Sequence, residues 1–97
     1  HMNESKLGRE EVEAQVLAWM AWNVRFWRAM GRINAPATSK EIGNAKGTTY
    51  DFSDGVNAIR RLERKGLVYR RCGRGRGKTA YWALTEAGTA AATKVTA

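Results

Sequence analysis

The chain has one cysteine, one proline and one histidine in 97 residues. A lone Cys72 excludes an intramolecular disulfide and a cysteine metal cluster, and makes a reducing interior the expected compartment. That means the cytoplasm, or the nucleoid in a prokaryote. The histidine, His1, precedes Met2 and reads as a vector remnant in front of a native start. The rest of the chain therefore offers no imidazole for catalysis or metal binding. No apolar run approaches the ~20 residues of a membrane span, and no signal peptide is evident. There is no paired-carboxylate motif. The run Gly73-Arg-Gly-Arg-Gly-Lys78 does not have the spacing of a phosphate loop, since three residues rather than four separate Gly73 from Gly77. An enzyme, a metal, a cofactor and a membrane protein are thus not expected.

What the chain does hold is positive charge, unevenly spread. Of 17 basic and 9 acidic residues, nine basic and one acidic fall between Arg60 and Lys78. The remaining eight and eight cancel, so the formal charge of +8 belongs to this one stretch. A pI near 10.3 with both signs of charge fits a nucleic-acid partner better than an anionic membrane. Hydrophobic content of 43% with four Trp argues against global disorder. The length suits one domain. Residues 1–8 are expected to be remnant and frayed, and 9–97 to form that domain.

Periodicity predicts a helix over Arg9–Met30, with Val12, Val16, Met20, Val24 and Trp27 at three- and four-residue steps. Glu10, Glu11 and Glu13 near its start and Arg25, Arg28 and Arg32 near its end complement the macrodipole, and Gly31 is its stop. A second apolar set, Trp19, Trp22, Phe26 and Met30, requires a cover. Either a C-terminal helix supplies it or a second copy does. Exposed aromatics are costly on a monomer, so these four are the candidate dimerisation residues.

Thr38-Ser-Lys-Glu41 reads as a capping box opening a short helix that carries Ile42 and Ala45 inward and ends near Lys46-Gly47. A polar and aromatic turn follows, Thr48 to Phe52. Asp51 or Ser53 can then cap a helix to about Lys65 with Val56, Ile59 and Leu62 inward and Gly66 as its stop. Leu67–Arg71 and Thr79–Leu84 read as two strands of a hairpin with a Gly-rich tip. Thr85 caps a last Ala-rich helix. The expected class is mainly α with a small β-hairpin, in the order α, short β, α, α, β, β, α.

The segment TSKEIGNAKG…VNAIRRLERKGLVYRR resembles the helix-turn-helix of MarR-type and PadR-type regulators, and so does YWALTEAG at the end of the hairpin. The resemblance covers roughly residues 36–90. Its turn, at Thr48–Phe52, is about two residues longer than the usual MarR pattern. It implies a winged helix-turn-helix and a homodimer that binds a near-palindromic duplex DNA operator to regulate transcription. A DNA-organising or partition protein and a protein-contact module are the alternatives on the same fold. There is no room for the ligand-binding extensions of larger members, so no small-molecule effector is carried over.

Helical phase names candidate DNA contacts. With Val56, Ile59 and Leu62 inward, Asn57 and Arg61 face out, and Ala58 and Arg64 are further candidates. Ser53 and Asn57 stand near the helix start, where base edges are reached, and Arg60, Arg61 and Arg64 add charge. Asp54 is expected to cap or to pair with Arg61. Thr48, Thr49 and Tyr50 in the turn, with Lys40, suit phosphate oxygens. At the hairpin tip Arg74, Arg76 and Lys78 alternate with glycines that let a narrow loop approach DNA. Of Tyr69, Tyr81 and Trp82, one is expected in the core.

Overall fold

A computed structural model describes residues 8–32, 37–72 and 80–96. The elements run α1 (Arg9–Ala29), β1 (Ala37–Thr38), α2 (Ser39–Gly43), α3 (Phe52–Arg64), β2 (Val68–Cys72), β3 (Tyr81–Leu84) and α4 (Glu86–Thr96). The fold is mainly helical with one small antiparallel sheet in the order β1-β3-β2. The element order and class match the expectation.

Local chemistry sets the boundaries. Gly31 (φ 94°) ends α1, with the Arg32 amide donating to the Trp27 carbonyl. At α2 the capping box is complete: the Glu41 amide donates to Thr38 Oγ1 at 3.0 Å, and the Thr38 amide to the Glu41 carboxylate at 2.9 Å. The helix ends earlier than expected, at Gly43, because the chain turns at Asn44. Thr85 caps α4 by accepting from the Gly88 amide at 3.0 Å, while its hydroxyl donates to the Gly66 carbonyl at 2.7 Å. Gly88 is required there. A Cβ on it would collide with the Leu67 carbonyl oxygen.

The core lies where α1, α2, α3 and β3 meet. Val16, Ile42, Ile59, Leu62, Val68 and Trp82 are its largest fully buried side chains. Each contributes roughly 1.5–3 kcal/mol of transfer free energy against the unfolded chain. Trp82 is the core aromatic of the hairpin. Its indole N–H donates to Ser39 Oγ at 2.8 Å, tying β3 to the first turn of α2. Arg70, its partner across the β2–β3 ladder, lays its guanidinium 5.1 Å from the ring centroid.

Two expectations are corrected. The inward face of α3 is Gly55, Ala58, Ile59 and Leu62, and Val56 is only half-buried. Small residues stand where the helix comes closest: a Cβ on Gly55 would overlap the Tyr50 ring. Apolar bulk misjudges such a face by one step of the helix, so Ala58 points in rather than out. The second correction concerns α4. It packs on α1 and buries Ala92, yet it does not cover the aromatic stripe. Trp22, Phe26 and Met30 stay 48%, 41% and 65% exposed, and Trp19 is half-buried.

Candidate nucleic-acid interface

The outward side of α3 carries Ser53, Asn57, Arg60 and Arg64, all exposed. Their spacing of four, three and four residues aligns them along one stripe of a straight helix. The opposite side is anchored in the core, so the stripe is held rigidly over 13 residues. Arg60 and Arg64 carry no ion pair among the described residues. Their guanidinium groups are free to meet an anion, and Asn57 offers both a donor and an acceptor to a base edge. Lys40, on α2, is exposed as well.

Arg61 behaves differently from Arg60. The phase that buries Ala58 turns Arg61 toward α1, where its Nε donates to Glu13 Oε2 at 2.7 Å. Lys65 Nζ meets the other oxygen of the same carboxylate at 2.5 Å. The Glu13 side chain is 8% exposed and that of Arg61 19%. Burial alone would raise the Glu13 carboxyl. The hydrogen bonds from Arg61 and Lys65 and their charges outweigh it and hold the group below its ordinary value. Glu13 thus locks α3 to α1 and withdraws Arg61 from the outward face. Asp54 is half-buried and Arg61's partner is Glu13 instead. Sequence reading missed Glu13 because 48 residues separate it from Arg61.

The turn before α3 is also redirected. Tyr50 is 9% exposed and its hydroxyl donates to the Ile42 carbonyl at 2.6 Å, so it is a core residue and not a phosphate ligand. Burial raises its phenol above the ordinary value. The Thr48 hydroxyl donates to the Ala45 carbonyl at 2.6 Å inside the turn. Thr49 is exposed but engaged with Gln15 of α1: its amide donates to Oε1 and its hydroxyl accepts from Nε2, each at 2.9 Å. Asp51 stands at the N-cap of α3 with no side-chain cap bond. The turn therefore braces α3 against α1 and leaves the stripe itself to meet a ligand. The hairpin-tip candidates Arg74, Arg76 and Lys78 lie outside the described residues.

Elsewhere, the described residues hold no cluster of His, Cys, Asp and Glu that could bind a metal. No described helix is long and apolar enough to cross a membrane. Comparison with protein-family models, curated proteins and solved structures gives no match to this chain.

Proposed function

We propose that this protein is a winged helix-turn-helix regulator that binds double-stranded DNA as a homodimer. In this reading α2 and α3 are the helix-turn-helix and β2–β3 with its tip is the wing. The observation that carries it is the stripe Ser53–Asn57–Arg60–Arg64. Among the described residues its two arginines have no ion pair, and they share with an asparagine the outward face of a helix whose other face is core. The major groove is wide enough to take one such helix. Arg60 and Arg64 supply phosphate or guanine contacts, Asn57 an adenine contact, and Ser53 a contact at the helix start. Lys40 meets the flanking backbone, and the wing cations Arg74, Arg76 and Lys78 meet the backbone or minor groove.

Two copies joined through the aromatic stripe of α1 would present two reading helices to half-sites roughly 34 Å apart. Occupancy of the operator then regulates transcription in the cytoplasm. The test is selection of bound duplexes from a random pool. A palindromic consensus is the expected result. Retention without any consensus would replace the regulator with a DNA-organising protein, and no retention would end the DNA reading.

A further inference from the structure

The turn before α3 sends two aromatic side chains in opposite directions. Tyr50 enters the core, whereas Phe52, the first residue of α3, is 47% exposed. Its ring is seated rather than loose. It lies over Gly43 of α2, where a Cβ would come within 2.6 Å and 2.7 Å of two ring carbons. Gly43 is buried. One side of the phenyl ring is thus fixed by the fold, and the remainder is left to solvent.

Helical phase places this ring beside the polar stripe. Phe52 precedes Ser53 by one residue, so it stands about 100° round the helix from it, on the side that faces α2. Val56, four residues on, continues that side and is half-buried. The first turn of α3 therefore carries an apolar flank next to Ser53 and Asn57. Neither a phosphate nor the donors and acceptors of a base edge reward a phenyl ring. Of the groups that base pairs present in the major groove, the C5-methyl of thymine is the apolar one.

We infer that Phe52 is a specificity-determining residue that packs on the C5-methyl group of a thymine in the major groove. This deepens the DNA reading proposed above and rests on it. Because the ring is already seated on Gly43, little side-chain freedom is lost when the methyl group meets it. Phe52 and Asn57 are five residues apart. That is roughly 7.5 Å along α3 at 1.5 Å per residue, or about two base-pair steps of roughly 3.4 Å. A thymine met by Phe52 and an adenine met by Asn57 thus fall within about two base pairs of each other in one half-site.

The experiment exchanges thymine for deoxyuridine, which removes the methyl group and keeps the base pairing. In the duplex selected from the random pool each thymine is replaced singly, and affinity is measured by fluorescence anisotropy. Wild type should lose about three- to fourfold at one thymine per half-site, the worth of one buried methyl group. That thymine should lie within about two base pairs of the position where Asn57→Ala relaxes the preference for adenine. Phe52→Ala should bind the thymine and uracil duplexes alike. Phe52→Leu, which keeps an apolar side chain, should retain part of the difference. The ratio of the two affinities does not depend on how much of a variant is folded, so a destabilised variant still reports. Equal affinity of wild type for every thymine and uracil pair overturns the methyl contact and leaves the DNA reading standing. An undiminished ratio in Phe52→Ala assigns the methyl group to another residue and overturns the role of Phe52. Retention of duplexes without a consensus overturns it too, since no base is then read. Absence of binding to any duplex overturns the DNA reading and this contact together.

Discussion

The outward face of α3 and the end of α1 are both exposed helix surface, and they are exposed for opposite chemical reasons. On α3 the solvent side is Ser, Asn and Arg, which water tolerates, while the inner side is fixed by Ile59, Leu62 and the Glu13 clamp. On the end of α1 the exposed side is Trp22, Phe26 and Met30, which water does not favour. The first surface is rigid and polar, suited to a polyanion that must be met in a fixed register. The second is apolar, suited to another apolar face. Arg60 and Arg61 repeat the contrast within one residue step. The same side chain is free in one case and held by a carboxylate in the other. Charge counted along the chain does not distinguish them; the phase of the helix does.

The sharpest way to break the contrast is to remove the support beneath α3. Ile59→Ala should cost about 2–5 kcal/mol in chemical denaturation, through lost transfer energy and the cavity left behind. Glu13→Ala comes next. It leaves Arg61 in a partly buried site without its partner, and about 1–3 kcal/mol of stability should be lost. Because the Glu13 carboxyl is lowered in the folded chain, its contribution is complete above the ordinary carboxylate value. It disappears as pH falls through the lowered value. Glu13→Gln should flatten this part of the acid side of a stability–pH profile, and an unchanged profile would remove the clamp from the account.

On the DNA side, the double change Arg60→Ala with Arg64→Ala should weaken duplex binding and reduce the salt slope by about 1 for each phosphate that is no longer neutralised. Its fold should be unchanged in circular dichroism. The smallest expected effect belongs to the end of α1. Met30→Ser should alter monomer stability by no more than about 0.5 kcal/mol, since this side chain is 65% exposed within one copy. A loss of several kcal/mol measured at a concentration where the chain is monomeric would mean that Met30 is core.

Much of the fold could be read in the sequence because its signals are local. The Thr38–Glu41 capping box, the Gly31 and Gly66 stops and the Thr85 cap each depend on residues within one helical turn. The two apolar stripes on α1 are local in the same sense. What sequence could not supply was tertiary. Tyr50 looked like a phosphate ligand because a tyrosine in a polar turn can be one; its ring is instead taken by the space that Gly55 leaves. Ala58 looked like surface, and it is fully buried in the core. Arg61 looked outward because nothing near it in the chain announced Glu13. Small residues and distant charge partners decide helix phase here, and neither registers in a hydrophobic pattern.

The central claim is that the outer stripe of α3 meets duplex DNA while its inner arginine does not. Fluorescence anisotropy of a labelled duplex tests it most directly, titrated at several salt concentrations with wild type, Arg60→Ala/Arg64→Ala and Arg61→Ala. The double variant should lose at least about tenfold in affinity and show a flatter salt dependence. Arg61→Ala should bind as wild type does, with its deficit appearing only as lower stability. Equal loss in both variants, or no loss in the double variant, would contradict the account.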